Sequence, residues 1–266
     1  MIFESHAHYD DEQFDKDREE LLNSMLENKI GTIVNVGATL ASCDAAVKLA
    51  KDYPFIYAAV GVHPDEVGTL DEVAFTHIEN LCGNKKVVAI GEIGLDYYWE
   101  NEPRMVQKKW FIKQLQLAKK WNLPVLIHSR EAAADTMDIM KEHAAGLTGV
   151  IHCYSYSVEM AKEYVDMGYG IGIGGVVTFK NSKKLKEVVK SIPLTSLLLE
   201  TDCPYLAPEP NRGKRNSSLN LPYVAEEIAK LKECTYEEVI VQTEKNAKQL
   251  FQINETTIHC NEQKKY

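Results

Sequence analysis

Met1-Ile2-Phe3-Glu4-Ser5-His6-Ala7-His8 opens the chain as a short apolar, strand-like run ending in ligand-type side chains. Side chains two apart on a strand share a face, roughly 7 Å from one another. His6 and His8 can therefore converge on one ion, with Glu4 on the same side. Two histidines alone carry little weight, but the pattern of apolar run, polar end and helix recurs eight times.

The further apolar runs lie at 32–37, 55–63, 86–96, 124–129, 149–153, 168–177 and 197–202. Helical spacing predicts helices near 17–29, 42–52, 71–82, 103–121, 131–145, 157–167 and 182–191. A loop over 203–220 holds prolines around a basic cluster, and two closing helices are expected near 221–232 and 235–251. Nearly continuous apolar strands alternating with helices imply a parallel sheet. Eight of them in one α/β domain is the count of a (β/α)8 TIM barrel. A doubly wound open sheet is the rival, but no GxGxxG follows an early strand. The barrel is assigned to residues 1–253, and 254–266, which lack periodicity, are expected to fray.

With 266 residues and 45% apolar content, the chain can bury a full core without a linker. No apolar run is long enough for a membrane span, and no signal segment opens the chain. Its six cysteines show no CxxC spacing, so reduced thiols and a cytoplasmic location are expected. A net charge of −9 argues against a protein that coats nucleic acid, but not against an enzyme that grips a strand end locally. Nothing points to an obligate protein partner.

The strand ends carry the chemistry. His6 and His8 end the first run, His63 the third, His128 the fifth and His152 the sixth; Glu92 lies in the fourth and Asp202 ends the eighth. Five of eight histidines thus fall where a barrel gathers its C-terminal strand ends on one rim. His6, His8, Glu92, His128, His152 and Asp202 are too many for one tetrahedral zinc with an open position. They suit two ions sharing a bridging carboxylate. Imidazole with carboxylate admits Zn²⁺ or Mn²⁺, and carboxylate with water also Mg²⁺. Cys153 and Cys203 follow ligands directly and should face away.

ESHAHYDD, GVHPDE, GEIGLDYY, PVLIHSREA, IHCYS, GGVVTFKN, LLLETDCPYLAPEPNRGKRN and the closing EKNAKQLF together resemble the TatD family of metal-dependent deoxyribonucleases, within the amidohydrolase-like barrels. These motifs run in order from residue 4 to 251. The resemblance implies that His6 and His8 bind one divalent ion, His128 and His152 a second, and that Glu92 bridges them. Asp202 completes the first site and is placed to act as base. It also points to 3′→5′ exonuclease action on single-stranded DNA. The chain departs from the family at Glu4 (commonly Asp), Asp65 (often His), Tyr156 (usually Gly) and Ser217-Ser218 (usually Pro), none of them a ligand.

Arg212, Lys214 and Arg215 place three cations after the eighth strand and are read as anion-binding. Arg130 offers a fork to phosphate or an ion pair to Glu131 or Asp135. His63 is expected to line the pocket or touch phosphate. Tyr97, Tyr98 and Trp99 can stack on a base or pack the mouth. The same cradle cleaves amides and esters, so a small-molecule amidohydrolase or esterase is the alternative; the bridging Lys usual there has no counterpart, Glu92 standing in its place. A metal-dependent binding module without turnover is the third possibility, and the intact ligand set argues against it.

Overall fold

In the computed structural model, which describes residues 1–99 and 101–253, the apolar runs become eight parallel strands paired in chain order. They are β1 Ile2–Ala7, β2 Ile30–Val36, β3 Ile56–Val60, β4 Val87–Asp96, β5 Val125–Arg130, β6 Gly149–Ile151, β7 Tyr169–Ile173 and β8 Leu197–Leu199. The ring closes just past β8. Ala7 forms a parallel bridge with Cys203, His8 N donates to Cys203 O at 2.9 Å, and Asp202 N donates to His6 O at 3.0 Å. A doubly wound sheet would leave two edges apart, so the fold is the (β/α)8 barrel. The tail expected to fray, 254–266, lies outside the described residues.

Nine helices are described: α1 Arg18–Asn23, α2 Leu40–Asp52, α3 Glu72–Leu81, α4 Arg104–Trp121, α5 Ala133–His143, α6 Val158–Asp166, α7 Lys183–Ser191, α8 Leu221–Lys232 and α9 Tyr236–Leu250. Capping boxes start two of them, Thr39 with Ser42 on α2 and Thr235 with Glu238 on α9. Asn122, left-handed at φ 51°, ends α4.

Strand side chains divide by the two-residue period. Ile33, Ile56, Val125 and Ile127 pack outward in the larger core. Phe3, Val34, Tyr57, Leu126 and Val150 fill the inside, where Phe251 at the end of α9 stacks on Phe3 with centroids 5.7 Å apart. The N-terminal end is thus plugged by hydrocarbon, and the polar strand ends are left at the opposite mouth.

Several boundaries differ from expectation: the third strand, for one, ends at Val60 rather than at His63, and two causes explain three of the others. The first helix stops at Asn23, because the chain tightens into i→i+3 turns before Lys29 takes a left-handed φ of 66° and leads into β2. The sixth and eighth strands end early; Cys153 (φ 46°) and Asp202 (φ 57°) are left-handed and leave strand geometry there. Strand β7 ends at Ile173 and a 3₁₀ turn, Gly175–Thr178, follows. No helix among the described residues is long and apolar enough to cross a membrane. Cys43, Cys82, Cys153, Cys203 and Cys234 are all free thiols.

Candidate metal centre

Glu92 sits at the middle of the mouth with its two oxygens facing different histidines. Oε2 lies 3.4 Å from His6 Nε2 and 3.6 Å from His8 Nε2. Oε1 lies 2.8 Å from His128 Nδ1 and 2.7 Å from His152 Nε2. Asp202 Oδ1 approaches His8 Nε2 at 3.4 Å and His6 Nε2 at 3.8 Å. All six residues singled out as ligands from the sequence are therefore brought together. Glycine makes the approach of β4 to β5 possible: Gly94 holds φ at 147°, and a Cβ there would lie 1.9 Å from His128 O.

Outer partners set which nitrogens carry protons. His8 Nδ1–H donates to Val36 O at 2.8 Å, and His128 Nε2–H donates to Asp96 Oδ2 at 3.0 Å. The inward nitrogens, His8 Nε2 and His128 Nδ1, are then left with lone pairs facing carboxylate oxygens. Lone pair against lone pair at these distances calls for positive charge between them, and the donor set fits divalent ions.

The electrostatics agree. Burial alone would raise the Glu92 carboxyl, but His152, His128 and His6 outweigh it and hold it well below the usual range. Asp202 is likewise lowered against the cost of burial, chiefly by His8 and His152. Burial would lower His8 and His128, yet Asp202 and Glu92 push His8 up to about 10, and Asp96 and Glu92 push His128 up to about 9. The mouth attracts cations, and protons compete for the same lone pairs.

His63 belongs to the site in a different way. It groups with Glu92 and His128, and also with Asp65 and Asp96, at ligand-like distances. Its Nδ1, however, accepts Asp65 N–H at 3.2 Å, so the proton sits on Nε2, which points toward Glu92 Oε1 at 3.8 Å. Burial first, and then His128, lower its pKa to about 3, so it is a neutral donor. Cys153, expected to face away, is only half-buried and lines the cavity, because its left-handed φ of 46° breaks the strand alternation there; burial raises its thiol. Cys203 is buried and does not line the cavity.

A cavity of about 820 Å³ opens above these residues, and Arg130 and Trp99 line its rim. Arg130 forms no ion pair among the described residues; Asp135, one of its expected partners, is taken by Lys108 at 2.7 Å and the Tyr97 hydroxyl at 2.6 Å. Tyr97 packs the mouth, whereas Tyr98 and Trp99 are exposed. Arg212, Lys214 and Arg215 do not line the cavity. Arg215 is bound to Asp17, with its Nη1–Oδ1 contact at 2.8 Å, and Arg212 lies 4.2 Å over the Phe179 ring.

Three positioning residues were not singled out from the sequence. Asp96 is two strand repeats from Glu92, a spacing that places both on one face. Gln107 and Gln114, seven apart on the buried stripe of α4, replace backbone partners. Gln107 takes Asp96 N–H at 2.9 Å and donates to Asp96 O at 2.8 Å, and Gln114 takes Val62 N–H at 2.8 Å and donates to Val62 O at 3.1 Å. They clip the segments that carry Asp96 and His63. A buried Gln in an otherwise apolar stripe is the signal that marks them.

Residues 3–252 match the family model described as TatD related DNase. The chain belongs to the TatD family. Among its TatD relatives, the uncharacterized metal-dependent hydrolase YabD of Bacillus subtilis (strain 168) is 47% identical over 96% of this chain and 100% of its own length. The uncharacterized metal-dependent hydrolase YcfH of Escherichia coli (strain K12) is 34% identical over 96% of this chain and 97% of its own. The crystal structure of YjjV, a TatD homolog from Escherichia coli K12, superposes with a TM-score of 0.89 at 30% identity, covering 95% of this chain and 98% of that one. The chain thus joins a TatD family of metal-dependent hydrolases with a barrel fold.

Proposed function

We propose that the protein is a deoxyribonuclease that uses two divalent ions, Mg²⁺, Mn²⁺ or Zn²⁺, to release nucleotides from the 3′ ends of single-stranded DNA. The observation that carries this is Glu92, which offers one oxygen to the His6–His8 pair and the other to the His128–His152 pair. Two ions held there would neutralise phosphate charge and acidify a water. Asp202, kept ionised by His8 and His152, would help hold the first ion through Oδ1, the oxygen facing both His6 and His8, and take the water's proton on its other oxygen. His63 Nε2–H donates to a phosphate oxygen, and Arg130 at the rim adds a counter-charge. The family's description as TatD related DNase supports DNA as the substrate.

The competing activity, hydrolysis of a small amide or ester in the same cradle, draws support from one observation. The 212–215 cations stand away from the cavity, which is itself rich in acidic groups. Cleavage of a 5′-labelled single-stranded oligonucleotide, with each ion and after chelation, decides between them. Metal-dependent shortening from the 3′ end is the expected result. No shortening with any ion, beside rapid ester or amide hydrolysis, would establish the alternative.

A further inference from the structure

The Tyr98–Trp99 turn is the part of the mouth that the metal centre leaves unused. Tyr98 is 53% exposed and Trp99 56%, a large aromatic surface beside a polar cavity. The two rings meet edge to face, with centroids 4.9 Å apart. The Arg130 guanidinium lies 3.9 Å from the Tyr98 centroid and 5.3 Å from that of Trp99. The turn is also registered to the metal centre. Tyr98 N–H and Trp99 N–H donate to Asp96 Oδ1 at 2.8 and 3.3 Å, while Oδ2 of the same carboxylate takes His128 Nε2–H.

We infer that Trp99, backed by Tyr98 and Arg130, is a nucleobase subsite that holds the base of the nucleotide being removed. This rests on the proposed deoxyribonuclease activity and adds which part of the substrate the rim recognises. Trp99 lines the same cavity as Glu92, His128 and Asp202, so one ligand can place its phosphate at the centre and its base on the indole. A flat base matches an exposed indole face, and the backbone phosphates match the unpaired guanidinium beside it. A base still paired and stacked in a duplex end cannot lie on Trp99, so the subsite selects frayed or single-stranded ends.

The test uses the full chain loaded with Mn²⁺ and two single-stranded oligonucleotides, one ending in an ordinary nucleotide and one in an abasic analogue. Base stacking measured by alanine substitution is worth roughly 5- to 150-fold. Trp99→Ala is therefore expected to raise KM at least about fivefold for the ordinary end while leaving the abasic end and kcat unchanged, with Trp99→Phe retaining most of the preference. An unchanged KM, or equal losses on both ends, overturns the subsite. A second readout needs no turnover: a deoxynucleoside monophosphate should quench tryptophan fluorescence in the wild type and not in Trp99→Phe. If the wild type cleaves no DNA, the deoxyribonuclease proposal fails on its own, and the quench still decides the subsite, its absence refuting it.

Discussion

Replacing Asp96 by Asn should weaken one half of the metal centre and spare the other. Asp96 is 1% exposed, and its two oxygens have different tasks: Oδ2 takes His128 Nε2–H at 3.0 Å, and Oδ1 takes the Tyr98 and Trp99 amides. Asn has one acceptor and one donor group. If its oxygen keeps the two amides, its NH₂ faces His128 Nε2–H, donor against donor. If it flips, the NH₂ opposes the Tyr98 and Trp99 amides. His128 can recover a bond only by moving its proton to Nδ1, the nitrogen 2.8 Å from Glu92 Oε1, which removes the inward lone pair. Loss of such an outer partner costs about 10- to 100-fold in metal affinity, or about 1.4–2.7 kcal/mol. Equilibrium dialysis against Mn²⁺ should show one ion per chain at wild-type affinity and a second weakened by that factor, with circular dichroism unchanged. Two ions bound as tightly as in the wild type would refute the role of Asp96, and equal weakening of both would point to a general loss of structure.

Asp202→Asn should keep the fold and lower kcat by at least about 100-fold, the usual span of a general base; rates near wild type would remove Asp202 from the mechanism. Gln114→Ala leaves the Val62 amide and carbonyl without partners in a fully buried place. A cost of about 1–3 kcal/mol should lower Tm by several degrees in a thermal melt and raise KM through His63. Chelated protein should lose stability as pH rises from about 6.5 toward 10. His8 and His128 bind protons more tightly folded (about 10 and 9) than unfolded, so their contribution is full below about 6.5 and is lost as pH climbs through the folded values. Glu4, raised by burial to about 8, and Glu200, raised by burial to about 7, act in the same direction. Saturating Mn²⁺ should flatten that decline in melts across pH; identical slopes with and without Mn²⁺ would contradict it. Arg212→Ala with Lys214→Ala should raise KM for a long oligonucleotide more than for a dinucleotide, because both cations stand outside the cavity; equal effects would exclude contact with the distal strand.

The barrel was legible because its signals are local. Each strand is an apolar run, and each ligand sits at the end of one, so topology alone carries His6, His128 and Asp202 to the same mouth. What escaped depends on partners far along the chain. Asp96 reads as a turn former beside Tyr97 until its second oxygen is seen on His128, 32 residues away. Gln114 reads as a polar slip in an amphipathic helix until it meets Val62, 52 residues earlier. The helix expected over 17–29 was overextended because Leu26 keeps helical spacing; in the fold it is 52% exposed, and entry into β2 takes precedence over another helical turn. The 212–215 cluster shows the converse. Its position after the eighth strand suggested the mouth, but Asp17 on the α1 side draws Arg215 away.

The most direct test of the whole account is a crystal structure of Mn²⁺-soaked protein with anomalous scattering recorded at the manganese edge. Two peaks should flank Glu92, one among His6, His8 and Asp202 and the other between His128 and His152. A single peak elsewhere on the rim, or none beside Glu92 in fully loaded and active protein, would contradict the claim that this carboxylate joins two cations.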